Sequence, residues 1–297
     1  MKIIGAPGQG SQSEGFLKPW LEAFPGIETR LEALSAVAGR DLMRLGLTAT
    51  EDEIKDTANA QRLIVAASIS VYREVFAGSE FDGVVGHSVG EFAAAAIAGV
   101  LSDEDALALV GVRADAMADA AARVQTSMAA VLGGEDEEIQ ARLGELGLQA
   151  ANFNGSQLVV AGLKDSISEL VASPPKGARV IELKVAGAFH TDFMSSAVEA
   201  LGEVATAIEV SDPAMKLWTN RDGSVVTNGR EFVDTMVLQT ASPVRWDKCM
   251  ASINAPSGKF IELPPAGALA GLVKRGAPEL SALALKTPAD LEKLESL

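Results

Sequence analysis

A chain of 297 residues, 48% of them hydrophobic and 22% charged, can fill one large domain or two smaller ones, and general disorder is excluded. Its 25 basic and 40 acidic residues leave a net charge of −15, which argues against nucleic acid as a partner, because phosphates are neutralised by Lys and Arg. One cysteine, Cys249, cannot form an internal disulfide, which fits a reducing cytoplasm.

The first apolar stretch, Ile3-Ile4-Gly5-Ala6, is shorter than the roughly seven to fifteen residues of a secretory h-region and reads as a buried strand. The glycine-rich turn Pro7-Gly8-Gln9-Gly10-Ser11-Gln12 follows it. Helical patterning fills much of residues 17–76. Phe81 to Gly86 is a second strand signal, running directly into His87-Ser88-Val89-Gly90-Glu91 and an alanine-rich helix to about Val100. Ser102 reads as an N-cap with Asp105 three residues on, opening a helix to about Arg123. No apolar run reaches transmembrane length, so the chain is expected to be soluble and cytoplasmic, with no membrane partner.

The rhythm then changes. Met128–Leu132 is strand-like, Glu135–Leu146 helix-like, Leu148–Phe153 and Gln157–Gly162 strand-like, Asp165–Ala172 helix-like and Ala178–Val185 strand-like. That order, β-α-β-β-α-β, is a split βαβ signature. Residues 125–188 are therefore expected to form a small α/β insert within a larger α/β domain made of 1–124 and 189–297. The last strand of the larger domain is expected at Lys259–Leu263. Cys249, in the run Trp246-Asp247-Lys248-Cys249-Met250, reads as a packed small hydrophobe.

Gly86-His87-Ser88-Val89-Gly90 matches G-x-S-x-G. Such a strand-to-helix turn lifts a serine Oγ clear of the sheet, and the N–H that follows can bind an oxyanion. A serine nucleophile needs a base, and the chain holds only two histidines, His87 and His190. His87 neighbours Ser88 in sequence and is expected to sit beneath the turn, which leaves His190 as the imidazole candidate. No acid stands out as a third member, and Asp192 is too close in sequence to reach the far ring nitrogen. Arg113 falls inside the apolar stripe Ala106, Leu109, Val110, Met117, Ala120 and Ala121. It is either a structural ion pair, an arginine snorkelling from the rim, or a clamp for a carboxylate.

Together these residues resemble the malonyl-CoA:acyl carrier protein transacylase family, the acyltransferases of fatty-acid and polyketide synthesis. The resemblance covers essentially the whole chain. It is carried by Pro7–Gln12, Gly86–Glu91, Val112-Arg113-Ala114, Asn152-Phe153-Asn154, Phe189-His190, Gln239, Ser242-Pro243-Val244-Arg245-Trp246 and Leu272-Val273-Lys274-Arg275. It implies a hydrolase-like α/β core with a parallel-rich sheet and a small ferredoxin-like insert. It implies malonyl-CoA and an acyl carrier protein as partners, with no metal and no cofactor. By the same resemblance Ser88 would be the nucleophile and His190 the base, with Gln239 orienting His190 through an oxygen acceptor. The N–H groups of Gln9 and Val89 would form the oxyanion hole. Arg113 would hold the malonyl carboxylate, with Phe189 and Asn152 also facing the substrate. A serine thioesterase or esterase on the same elbow is the alternative, but such a hydrolase has no need of a carboxylate clamp.

Two stretches depart from the family's pattern. Gln61-Arg62 stands where Gln-Pro is frequent, and Pro264-Pro265-Ala266-Gly267 where a Gly-Pro-Gly turn is usual. Neither is expected to touch a catalytic group. Carrier proteins are acidic, so a chain at −15 needs local basic residues to dock one; Lys184, Lys274 and Arg275 are the candidates.

Overall fold

The structure is a computed structural model that describes residues 1–297 except Asn254 and Ser296. Its strands are β1 (Lys2–Ala6), β2 (Gly83–Gly86), β3 (Thr126–Gly133), β4 (Gln149–Phe153), β5 (Gln157–Leu163), β6 (Ala178–Leu183), β7 (Lys216–Trp218), β8 (Lys259–Glu262) and β9 (Ser281–Ala284). Its helices are α1 (Lys18–Ala23), α2 (Gly26–Ala38), α3 (Leu42–Leu47), α4 (Glu51–Lys55), α5 (Thr57–Val75), α6 (Gly90–Ile97), α7 (Asp103–Arg123), α8 (Asp136–Leu146), α9 (Lys164–Ala172), α10 (Ser195–Ala205), α11 (Gly229–Gln239), α12 (Trp246–Ser252) and α13 (Ala268–Gly276).

Several helices start where short polar side chains satisfy the unpaired N–H groups of the first turn. Asp41, Asp56, Ser102 and Asn228 each accept from the N–H three residues on, and Thr50 and Glu53 form a reciprocal capping box.

Two sheets organise the chain. The first is wholly parallel, in the order β7-β2-β1-β8-β9. Alternate side chains point to opposite faces. Ile4, Val84 and Ile261 pack with α2, α5, α6 and α7, while Ile3, Val85 and Phe260 pack with α12 and α13. Helices on both faces explain why these strands are nearly continuous in apolar residues. α5 is buried without interruption from Ala60 to Tyr72, as a helix lying between layers must be. Each Leu or Ile fully withdrawn from water there contributes about 1.5–3 kcal/mol.

The second sheet is antiparallel, in the order β4-β5-β3-β6. One face carries α8 and α9 over Ala129, Val131 and Val160. The other, with Met128, Val159 and Ala161, packs on Met117 and Ala120 of α7 and on Phe189. Residues Ala151 and Phe153 exchange backbone hydrogen bonds with Val244, tying β4 to the segment before α12.

The last strand differs from expectation. β9 extends the parallel sheet beyond β8, pairing Ser281–Ala284 with Lys259–Glu262. Its Ser-Ala-Leu-Ala sequence has no β-branched or aromatic residue, so the strand signal was absent. β7, with three residues, also lies outside the strands expected from the sequence.

The turn between β2 and α6 is crowded. A Cβ on Gly86 would lie 2.2 Å from the Gly90 carbonyl carbon, and one on Gly90 would lie 2.2 Å from the Ala6 carbonyl oxygen. The β1 backbone therefore passes against the elbow with no room for a side chain. Gly90→Ala should lower the unfolding free energy by about 1–3 kcal/mol through overpacking. Denaturant melts check this, and an unchanged midpoint would show that β1 moves aside freely.

Candidate active site

Ser88 adopts φ 53°, the left-handed backbone of a sharp strand-to-helix turn. Its Oγ lies 2.7 Å from His190 Nε2. His190 also has positive φ, 63°, and its loop is pinned where Thr126 Oγ1 accepts from Ala188 N–H at 2.9 Å and Thr191 Oγ1 donates to Ala188 O at 2.6 Å. His190 Nδ1 lies 2.9 Å from the Gln239 main-chain carbonyl oxygen. A carbonyl can only accept, so Nδ1 carries the proton and the Nε2 lone pair faces the serine. Burial, followed by the nearby Arg113 charge, pushes the imidazole down to about 3.

Arg113 is 1% exposed on the buried face of α7. Its Nη2 is 3.5 Å from Ser88 Oγ, and its Nη1 donates to Gln61 Oε1. The guanidinium lies 5.8 Å from the Phe92 ring centroid, a cation–π distance. Its Nε has no hydrogen-bond partner, and among the described residues no carboxylate lies within ion-pair distance. Burial pulls it down to about 10, opposed by the charge of Glu91. A fully buried guanidinium is normally paired. This one is short of an anion and points to where one would complete it.

Ser88 and His190 open on a cleft of about 390 Å³, also lined by Gln9, Asn152, Phe189 and Arg275. Its remaining wall is largely apolar, with Met117, Val159 and Leu272. Val89, the residue after Ser88, caps α6, so its N–H stands at a helix N-terminus, where negative charge is favoured. A larger depression of about 580 Å³ lies between the end of α7 and β6. It holds Lys184 but no serine–histidine pair like the one in the smaller cleft. Of the three basic candidates only Arg275 lines that cleft. Among the described residues no cluster of His, Cys, Asp and Glu is arranged to hold a metal ion.

His87 lies beside Asn154, its Nε2 3.1 Å from Asn154 Oδ1, and its ring meets Trp246 tilted, at 5.4 Å between centroids. Asp192 accepts from Gln149 Nε2, while the His190 Nδ1 partner is the Gln239 carbonyl. Cys249 is buried, and burial raises its thiol well above the usual range.

Gln61, the residue of the Gln61-Arg62 pair that keeps the family's pattern, accepts from Arg113 through its amide oxygen. In place of a proline, Arg62 is 4% exposed and makes a bidentate pair with Asp115, at 2.9 and 2.6 Å, between α5 and α7. The Gln239 oxygen on His190 is the main-chain one, while its side-chain amide donates to Glu91 Oε2. Sequence reasoning overlooked Glu91 and Asn220. The first was signalled by a lone carboxylate beginning an apolar helix. The second had no local signal, because it comes near Ser88 only through the sheet.

The chain matches the acyl transferase domain family over residues 6–289. It is 47% identical over 304 aligned positions to the malonyl CoA-acyl carrier protein transacylase of Mycobacterium tuberculosis, with all of both chains covered. The Escherichia coli K12 protein of the same name is 32% identical over 95% of each chain. The crystal structure of MCAT from Mycobacterium tuberculosis superposes with a TM-score of 0.93 at 45% identity, over 99% of both chains. A type II PKS acyl-carrier protein in complex with its malonyl-transacylase gives 0.92 at 30%, over 100% of this chain and 99% of that one.

The depressed histidine sets a pH expectation. Neutral His190 is the form that accepts a proton, and it persists down to about 3 rather than 6.5. The acidic limb of kcat/KM, which reports the free enzyme, should therefore lie well below pH 6. Stability moves with the same group. Below about pH 6.5 the unfolded chain binds a proton that the folded chain refuses, so folding stability falls as pH drops toward 3. A limb at pH 6–7 that disappears with His190 would contradict the geometry.

Proposed function

This chain belongs to the malonyl-CoA:acyl carrier protein transacylase family, and we propose that it works through a malonyl ester on Ser88. It is an acyltransferase that moves a malonyl group from coenzyme A to the phosphopantetheine thiol of an acyl carrier protein.

In the first half-reaction Ser88 Oγ passes its proton to His190 Nε2 and attacks the thioester carbonyl. The N–H groups of Gln9 and Val89 receive the oxyanion. The C–S bond breaks, and the coenzyme A sulfur leaves with the proton from His190. In the second half the carrier thiol gives its proton to His190 and attacks the ester, and Ser88 Oγ recovers the proton as it leaves. The Gln239 carbonyl holds the imidazole in the tautomer both halves require, and supports its transient positive charge. A carboxylate is not needed in that position, which accounts for the absence of an acid beside His190.

The observation that carries the reading is Arg113. A buried guanidinium without a carboxylate, 3.5 Å from the nucleophile, suits an acyl group bearing its own terminal carboxylate. A simple esterase on the same elbow has no use for it. Phe189 and Asn152, both lining the cleft, are read as substrate-facing, with the Phe189 ring occupying space beside the acyl α-carbon. We further read residues 1–124 and 189–297 as a hydrolase-like α/β domain, and 125–188 as a ferredoxin-like insert. The β-α-β-β-α-β order and the β4-β5-β3-β6 sheet support this. The single buried thiol is in keeping with a cytoplasmic location.

Intact-mass spectrometry after mixing with malonyl-CoA tests the ester. Wild type should gain one malonyl mass and lose it when carrier protein is added, whereas Ser88→Ala should gain none. A mutant that still acquires the mass would remove Ser88 from the mechanism.

Arg113→Ala separates clamp from scaffold. Losing a buried charge-assisted contact to the malonyl carboxylate costs about 2–5 kcal/mol. Malonyl transfer should thus fall about 30-fold or more, with acetyl transfer far less affected. An equal fall for both acyl groups would make Arg113 structural.

A further inference from the structure

Glu91 touches no reacting atom, yet it is fully buried at the start of α6, before Phe92-Ala93-Ala94-Ala95-Ala96. A carboxyl group placed there is expensive unless its oxygens are used. Both are used. Oε1 accepts from the Asn220 N–H at 2.7 Å, and Oε2 accepts from Gln239 Nε2.

Each of these partners leads to a different half of the reacting pair. Asn220 grips the elbow at two points: its Oδ1 accepts from the Ser88 N–H at 2.8 Å, and its Nδ2 donates to the Gly86 carbonyl at 2.8 Å. Those two contacts bracket His87 and end on the N–H of Ser88, the residue that must hold positive φ. Gln239 ends α11, and its main-chain carbonyl receives the His190 Nδ1–H. One carboxyl group thus joins the nucleophile's turn, the segment after β7 and the helix end that aims the base. Gln239 Nε2 also reaches Asn220 Oδ1 at 3.4 Å, closing the network on itself.

We propose that Glu91 is a positioning residue that sets His190 on Ser88, acting through Asn220 and Gln239. The proposal rests on reading Ser88 as nucleophile and His190 as base. Burial pushes the Glu91 carboxyl up to about 8, against the Asn220 N–H, the Arg113 charge and the Gln239 amide. That balance is expected of a group kept in the interior by its hydrogen bonds.

Glu91→Gln keeps the volume and one acceptor oxygen but turns an NH₂ toward either Asn220 N–H or the Gln239 amide. Against the Asn220 N–H donor faces donor, and against Gln239 the amide must turn over to accept, releasing Asn220 Oδ1, so one link opens either way. Misplacement by about 1 Å costs on the order of 100-fold in rate, while thioester binding is made elsewhere. The experiment is single-turnover acylation by malonyl-CoA and acetyl-CoA, with thermal unfolding of each variant measured in parallel. Glu91→Gln should slow acylation by about 10- to 100-fold for both thioesters, with the half-saturating malonyl-CoA concentration changed less than about two-fold. Gln239→Met, which removes the amide but keeps the main-chain carbonyl, should also slow acylation of both, and the double variant should be no slower than Glu91→Gln alone.

A folded Glu91→Gln enzyme acylated at the wild-type rate overturns the proposal. So does a loss confined to malonyl, which would place the effect on Arg113. If Glu91→Gln does not fold, an unchanged rate in Gln239→Met overturns it instead. Failure of wild type itself to take the malonyl group would overturn the Ser88 ester, a separate outcome.

Discussion

Ser88 stands clear of the sheet because the chain turns through a left-handed residue where no Cβ fits on either side. Gly86 and Gly90 face each other across that turn, and Gly90 lies against the Ala6 carbonyl at the end of β1. Much of the site hangs on this close approach. It brings the glycine-rich turn after β1 alongside the nucleophile, so that Gln9 and Ser88 line one cleft. It starts α6 at Gly90, so that the Val89 N–H beside the serine stands at a helix N-terminus. A strained residue persists only where its surroundings over-determine it, and here Asn220 braces the turn from below.

Burial is the second constraint, and it acts differently on each charge. His190 loses its proton because the interior disfavours an imidazolium and Arg113 adds like-charge repulsion. Arg113 remains cationic, since even a guanidinium pulled down to about 10 is protonated at neutral pH. The Glu91 carboxyl is pushed the other way, to about 8. The buried surroundings of Ser88 thus hold a neutral imidazole and a cation, a combination suited to an acyl group that carries a carboxylate. The Gln61 and Phe92 contacts hold the guanidinium in place without neutralising it. That leaves its attraction for an incoming carboxylate intact.

The antiparallel sheet contributes by closing the cleft. Its apolar face meets α7 and Phe189, and the β4 backbone is stitched to Val244 just before α12. The cleft thus has one wall from the antiparallel sheet, with Asn152, and another from α13, with Leu272 and Arg275. The net charge is −15, yet Arg275 puts a cation at the cleft itself.

Local chemistry was written plainly enough to read from the chain. The strand–G-x-S-x-G–helix order, the Ser102 cap, the β-α-β-β-α-β rhythm and the arginine on an apolar stripe all depend on residues within one or two turns of each other. Ser88, His190 and Arg113 could be singled out because each broke a local pattern or was scarce, and the folded chain brings His190 and Arg113 each to the Ser88 hydroxyl. What only the tertiary structure decided were contacts spanning long stretches of chain, for which no local period exists. That the His190 acceptor is a main-chain carbonyl could not be read from a sequence, since every residue carries one. That Gln61 meets Arg113 depends on how α5 packs on α7. The strands β7 and β9 form because neighbours are already in place, not because their three or four residues prefer to extend. Asn220 and Glu91 meet for the same reason, across a sheet whose order the sequence does not spell out.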